Sequence, residues 1–215
     1  MFAVIADQIN SRHEDDAVRQ TASEINRLAQ DGTLQLVLSP QRTSGDEFQC
    51  LVDKPDSLYR LIRLLMEDGR WHIGIGIGDV ETPLPEDVRE ARGSSLLNAR
   101  QAVNDSKSAD PSIILAGKEG PEISDANAVL RLISSLLLQR TRMGWEAVHA
   151  TEQAQDSRAP MSEAADTLGI TKQALSQRLQ AAHWKLETES QPTVLRALTV
   201  AEQLSRNDES EEVPA

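Results

Sequence analysis

Residues 71–78 constrain the fold more than any other stretch, because they alternate strictly with a period of two. In a β-strand this period separates the two faces, with Ile73, Ile75 and Ile77 on one and Gly74, Gly76 and Gly78 on the other. A glycine-lined face lets a helix, another backbone or a ligand approach closely. No helix begins inside the stretch, so it does not match the dinucleotide-binding fingerprint. We interpret the glycines as positions of close packing.

The other apolar runs predict an α+β fold. Strands are expected at 2–6, 34–38, 48–52 and 112–116, and helices at about 15–30, 55–68 and 94–106. Together with the strand at 71–78, the order is β-α-β-β-α-β and then α-β, which is typical of the ferredoxin-like arrangement with an extension. In that topology the first and third strands are antiparallel neighbours. Asp7 ends the first strand and Asp46 precedes the third, so both carboxylates should fall at the same sheet end.

Composition narrows the class of protein. Only three Trp, two Phe and one Tyr can contribute to the core, which must therefore be mainly aliphatic. The formal net charge of −12 argues against a general nucleic-acid binder, although it is compatible with a local basic face. The single cysteine, Cys50, excludes an intramolecular disulfide framework. With no basic leader and no apolar run near the ~20 residues that span a bilayer, we expect a soluble, cytoplasmic protein.

The character of the sequence changes after Gly117, where strand patterns end and helical patterns begin. We expect an α/β domain over 1–118, an all-helical domain over 122–206 and an acidic, disordered tail over 207–215. A helix predicted over 125–142 is apolar around much of its circumference. Such a helix is buried against partners, either in its own bundle or across a homodimer.

The polar turn at 41–49 carries adjacent acids, Asp46 and Glu47, between two predicted strands. Acidic side chains held together are costly unless a cation offsets their repulsion, and a divalent ion is the usual answer. A solvated hairpin tip is the alternative. Asp7 at the neighbouring strand end favours an ion site for Mg²⁺ or Mn²⁺, which would suit phosphoryl or nucleotidyl transfer. Arg42 and Arg100 are candidate cations for the phosphates.

Four motifs occur in the order found in a known bacterial family. They are Asp7 followed by Ser11-Arg12, the Gly-Asp-Glu-Phe-Gln turn at 45–49, the Gly-Ile-Gly-Ile-Gly strand at 74–78, and Ala99-Arg100. On these residues the chain resembles the SatD family. More widely, it resembles the nucleotidyl cyclase fold of class III adenylyl cyclases and GGDEF-type diguanylate cyclases. The resemblance covers most of residues 1–118.

This resemblance implies roles for individual residues. Asp7 and Asp46 would be the metal carboxylates, and Glu47 would be an adjacent acid in the same metal site. The base or phosphates of a nucleotide would be contacted by arginines, namely Arg12, Arg42 and Arg100.

The chain also departs from the cyclase pattern. Ser44 replaces the first glycine of the GGDEF turn, and Leu96 stands where class III cyclases carry an asparagine before the arginine that matches Arg100. The loop at 82–93 contains no set of residues suited to reading a purine. A site that binds metal and nucleotide without fast turnover is therefore as well supported as an active cyclase.

A second motif, at 160–179, is typical of a helix-turn-helix. Gly169 suits the turn, Thr171 can cap the second helix, and apolar positions can hold the pair together. The residues expected to meet DNA are Thr171, Lys172, Gln173, Ser176, Gln177 and Arg178. Residues 171–185 contain Lys172, Arg178 and Lys185 but no acid, which suits contact with phosphates. A plain helical hairpin used for dimerisation is the alternative.

These observations predict a cytoplasmic, homodimeric, DNA-binding regulator. Its first domain would sense a nucleotide or a divalent metal, or would serve only to dimerise. A metal-dependent enzyme acting on a nucleoside triphosphate, with the helical domain as a dimer scaffold, is the competing hypothesis. A cyclase fold reduced to an interaction module is the third.

Overall fold

The computed structural model of the chain describes residues 1–13 and 15–211, with side chains described up to Ser205. The strands are β1 (Phe2–Gln8), β2 (Leu38–Arg42), β3 (Glu47–Val52), β4 (Trp71–Ile77) and β5 (Ile113–Ala116). The α-helices of the described residues are α1 (Ala17–Gln30), α2 (Pro55–Asp68), α3 (Ser94–Ser106), α4 (Pro121–Leu138), α5 (Arg142–Asp156), α6 (Met161–Thr167), α7 (Lys172–Ala181) and α8 (Trp184–Glu211). The predicted α+β class is confirmed.

The five strands form one mixed sheet with the order β2-β3-β1-β4-β5. Strand β1 lies in the middle and is antiparallel to both β3 and β4, while β5 is parallel to β4. The prediction that the first and third strands are antiparallel neighbours is therefore confirmed. In this register Asp7 lies opposite Glu47 on one side and opposite His72 on the other.

The second strand begins later in the chain than its sequence pattern predicts. The prediction was 34–38, whereas β2 runs from Leu38 to Arg42. Leu34 and Leu36 instead pack on the core ahead of the strand, which explains why their hydrophobic pattern misled the assignment. Pro40 fits within β2 because this strand is at the edge of the sheet, where a missing N–H leaves no neighbour unpaired.

The glycines of β4 allow helix α3 to lie directly on the sheet. A Cβ atom added to Gly76 would stand 1.9 Å from the Ser95 carbonyl oxygen, and one added to Gly74 would stand 2.2 Å from the Val103 amide nitrogen. The predicted use of these glycines in close packing is therefore confirmed. The isoleucines of β4 face the opposite side, where they join a larger apolar core.

That larger core extends beyond residue 120. It contains side chains of β1 and α2, but also Leu130 and Leu137 of α4 and Val194 and Leu198 of α8. The described residues after Gly117 contain no strand, as predicted, yet α4 and α8 pack on the sheet. A separate, smaller apolar cluster is shared by α5, α6 and α7.

The bounds of two helical segments differ from the prediction. Helix α4 spans Pro121–Leu138 rather than 125–142, because Pro121 suits its first turn and Thr141 caps the next helix. Helix α8 continues to Glu211, so the prediction of disorder does not hold for the backbone of 207–211. Glutamate is a good helix former and can extend an existing helix at little cost. The rest of that predicted tail, 212–215, lies outside the described residues.

No helix within the described ranges combines the length and apolarity needed to cross a membrane.

A buried ionic cluster, the Glu187 junction, joins four parts of the chain. It consists of Tyr59 and Arg63 of α2, Arg140 between α4 and α5, Trp145 of α5, and Glu187 of α8. The Arg140 side chain is fully buried, and its Nη2 atom donates to Glu187 Oε2 at 2.8 Å. Arg63 Nε lies 2.7 Å from Glu187 Oε1, and the Tyr59 hydroxyl donates to the same oxygen at 3.0 Å.

Aromatic contacts complete this junction. The Arg140 guanidinium lies 4.3 Å from the centroid of the Trp145 ring, a cation–π arrangement. Burial and the neighbouring Glu187 carboxylate raise the pKa of Tyr59, which therefore remains a hydrogen-bond donor. Arg140 Nε also donates to the Ala182 carbonyl at 3.0 Å, so the junction holds the end of α7 as well.

We expect Gly76→Ala to lower the free energy of unfolding by about 3 kcal/mol, because the new methyl group must push α3 off the sheet. Gly120→Ala is the matched control, since its Cβ would meet only the mobile carboxylate of Glu122 at 3.2 Å. Urea titration followed by circular dichroism measures both. Equal stabilities of the two variants would contradict the packing account.

Glu187→Gln should lower the free energy of unfolding by about 3–5 kcal/mol, because it leaves the buried Arg140 charge without its carboxylate. Glu146→Gln removes an exposed carboxylate from its pair with Arg142. That control should change stability by less than about 0.5 kcal/mol. Thermal and urea unfolding measure the stability of both variants. A Glu187 variant as stable as the control would show that the Glu187 junction does not stabilise the fold.

Candidate functional site

Asp7, Asp46 and Glu47 lie at one end of the sheet, where the strand order predicts Asp7 and Asp46. Asp7 near the end of β1 lies opposite Glu47 at the start of β3. The Gln8 amide donates to the Asp46 carbonyl at 2.9 Å, which brings the turn against the end of β1. Together with Arg100 and Lys107 of the α3 segment, these acids form what we call the sheet-end cluster.

Each carboxylate of the sheet-end cluster already has a partner. Glu47 is buried and receives both terminal nitrogens of Arg100, with Nη2 at 2.7 Å from Oε1. Asp7 pairs with Lys107 Nζ at 3.1 Å, and Asp46 accepts a hydrogen bond from the Ser11 hydroxyl. The acid repulsion that suggested a metal ion is therefore offset by protein groups. Across residues 1–13 and 15–211, no three His, Cys, Asp or Glu side chains are grouped in a way that could hold a metal.

The three candidate phosphate-binding arginines lie in different environments. Arg100 is in the cluster, where its hydrogen bonds to Glu47 raise the pKa of its guanidinium. Arg42 instead lies 2.6 Å from the carboxylate of Asp16, the residue that caps α1, and lowers the pKa of that carboxyl. Arg12 is exposed in the turn after β1. Of these three arginines, Arg100 is therefore the one that lies with the acids of the sheet-end cluster.

Two further residues border the cluster and were not predicted. Lys107 follows the last residue of α3, and a lysine at a helix end gives no sequence signal of its partner. His72 lies opposite Asp7 in the register of β1 and β4, on the same strand face as Gly74. The sequence contained the signal for His72, because the alternation of β4 and the strand order together place it beside Asp7. Burial lowers the pKa of His72 despite the opposing influence of Asp7.

The second predicted site is formed by helices α6 and α7. Gly169 adopts a left-handed conformation with φ of +64° in the turn between them. The Thr171 hydroxyl accepts a hydrogen bond from the Ala174 amide at 3.1 Å and so caps α7. Leu175 and Leu179 are buried in the cluster shared with α5 and α6. The local geometry agrees with the turn and cap that the sequence predicts.

The outward face of α7 carries most of the residues proposed to contact DNA. The exposed ones are Thr171, Lys172, Gln173, Ser176 and Gln177. Arg178 is half-buried. Polar side chains that can donate and accept hydrogen bonds thus cluster at the start of α7.

Comparison with known proteins gives no significant match to a family model, to a curated protein or to a solved structure. Both candidate sites are therefore argued from the residues of this chain.

Helix α5 contacts α2 through a histidine in an environment unlike that of His72. The Nε2 atom of His149 lies 2.9 Å from both carboxylate oxygens of Glu67, and its ring stacks on Trp145. The hydrogen bond to Glu67 raises the pKa of His149. Because the contact favours protonated His149, its contribution to the stability of the folded state is fully present at pH values below the ordinary pKa of about 6.5. That contribution is lost as the pH rises through the folded pKa.

In an NMR titration we expect the midpoint of His149 to lie above about 6.5 and that of His72 to lie below it. Glu67→Gln should return the His149 midpoint toward the ordinary value, because it removes the acceptor charge, and should leave His72 unchanged. Identical midpoints for the two histidines would contradict these assignments.

Proposed function

We propose that this protein is a DNA-binding regulator in which α6 and α7 act as a helix-turn-helix. The observation that carries the proposal is the start of α7, where a capped helix exposes Lys172, Gln173, Ser176 and Gln177. These side chains suit a helix whose first turns enter the major groove. Residues 171–185 contain no acid, although the whole chain has a net charge of −12. This local reversal of sign favours phosphate contact.

We further propose that the α/β part, 1–118, is a cyclase-type domain related to the SatD family, and that 122–206 form the DNA-binding part of a cytoplasmic homodimer. The strand order β2-β3-β1-β4, with β1 in the middle, supports a ferredoxin-like arrangement. In this hypothesis Asp7, Asp46 and Glu47 bind Mg²⁺ or Mn²⁺, and Arg12, Arg42 and Arg100 bind nucleotide phosphates.

Ligand binding at the sheet end would then be an exchange of partners. Glu47 holds Arg100 and Lys107 holds Asp7, so each ion pair must open before its members can bind a metal or a phosphate. This requirement favours a sensor over a site preset for fast turnover. The change in ion pairs on binding is the physical signal that such a sensor would use.

The enzyme hypothesis remains the second candidate, favoured by the convergence of acids and cations at one sheet end. Incubation with ATP or GTP and Mg²⁺ or Mn²⁺ separates the two. A new product that Asp7→Ala abolishes would establish the enzyme and would argue against a purely regulatory site.

The double variant Lys172→Glu with Arg178→Glu should weaken binding to genomic DNA fragments at low salt at least about tenfold, because two phosphate contacts become repulsive. Fluorescence anisotropy measures the affinity. Arg60→Glu with Arg142→Glu, at exposed positions of α2 and α5, is the control matched for charge and should have a much smaller effect.

If the double variant binds DNA as tightly as the native protein, α7 is not the DNA-binding helix. Absence of DNA binding by the native protein at low salt would contradict the proposed function as a whole.

A further inference from the structure

Helix α8 exposes an apolar face that nothing in the described chain covers. Leu186, Val200 and Leu204 are 51%, 45% and 41% exposed, which is unusual for three large apolar side chains on one helix. Small residues occupy the positions between them. The resulting set, the α8 stripe, is Leu186, Ser190, Thr193, Ala197, Val200 and Leu204.

The spacing of the α8 stripe alternates between four and three residues. Five steps cover the 18 residues from 186 to 204, and their mean of 3.6 is the period of the α-helix itself, so the six positions lie on one face of α8. The stripe borders the face of α8 that packs in this molecule, which includes Val194, Leu198 and Ala201, and the partly buried Ala197 of the stripe contacts the same core. At 1.5 Å per residue it extends for about 27 Å. The exposed Leu186, Val200 and Leu204 therefore lie beside the buried face of α8 and outside the core of this molecule.

We propose that the α8 stripe pairs with the same stripe of a second copy, antiparallel and about a two-fold axis near Thr193. Charge selects this orientation. Glu189 and Arg196 flank the stripe on its solvent side, and a two-fold axis at 193 brings each beside the opposite charge of the partner. A parallel pair offers them no such partner, because the other flank of the stripe is buried against the core.

Side-chain size fits the same register. With the axis near Thr193, Leu186 meets the partner's Val200 at each end of the pair. The small Ser190 and Ala197 lie near the middle, where they let the two backbones approach closely.

The end of the partner helix then reaches an apolar groove. By the same register, the partner's Leu204 lies over residues 182–183, beside a groove of about 700 Å³ lined by Met161, Leu175, Leu179, Trp184 and Leu186. The inference rests on α8 and does not depend on DNA binding.

Cysteine cross-linking of the full chain tests the register. The native Cys50 is fully buried and should give no cross-link. Under mild oxidation, a mixture of the Leu186→Cys and Val200→Cys variants should form the mixed disulfide dimer in preference to either self-linked dimer. Self-linked dimers from each variant alone, without the mixed species, would overturn the antiparallel arrangement.

Sedimentation velocity across a concentration series tests whether the α8 stripe is the surface through which the chain dimerises. The native chain should dimerise, and Val200→Glu with Leu204→Glu should raise the dissociation constant at least about tenfold. Leu97→Glu is the matched control, because Leu97 is 73% exposed on α3, away from the stripe, and should leave the dissociation constant unchanged. Two results would overturn the proposal. One is a native chain that stays monomeric at every concentration, and the other is a dimer that Leu97→Glu dissociates but Val200→Glu with Leu204→Glu leaves intact.

A charge swap supplies the remaining control. Glu189→Lys and Arg196→Glu should each raise the dissociation constant of the dimer severalfold, and the double variant should restore the native dissociation constant. Additive weakening in the double variant would overturn the assigned pair. Circular dichroism confirms folding of every variant, which is expected because all the changed side chains are exposed or at the surface of α8 and α3.

Discussion

One buried carboxylate, Glu187, connects the sheet to the helices that follow it. It sits at the start of α8 and receives Arg63 from α2, Arg140 from the segment before α5, and the Tyr59 hydroxyl. Removing two arginines from water is costly, and the carboxylate held between them, together with Glu152 beside Arg63, offsets that cost. Because Arg140 also holds the end of α7 through the Ala182 carbonyl, the orientation of the α6–α7 pair depends on the same contact.

The sheet-end cluster differs from this junction, because its two cations reach solvent while Glu47 is buried and Asp7 is largely buried, and the charges are balanced in separate pairs. Arg100 matches Glu47, and Lys107 matches Asp7. Such pairs contribute little to stability where they are exposed. They do keep acids and cations in place at a sheet end without a bound ion. The arrangement is consistent with a site whose partners change when a ligand arrives.

Much of the fold could be predicted from local patterns. The alternation of β4 and the bounds of α3 agree with the structure, because a period of two and a run of residues compatible with a helix are properties of neighbouring residues. The sequence pattern misplaced β2, since Leu34 and Leu36 are apolar for packing rather than for strand pairing. Of the site, the placement of Asp7 and Asp46 at one sheet end could be predicted from strand order, and the alternation of β4 adds His72 beside Asp7. Lys107 could not be assigned in this way, because a lysine after the end of a helix gives no local signal of its partner.

The sequence by itself determined the class of fold, the order of its elements, the glycine face that receives α3, and the turn and cap that join α6 to α7. Each depends on residues close together in the chain. Only the tertiary structure decided that α4 and α8 complete the core of the sheet, that Glu47 is held by Arg100, and that α8 keeps an apolar stripe exposed. These outcomes depend on contacts between residues far apart in sequence, where burial and charge pairing, rather than local periodicity, determine which side chains meet.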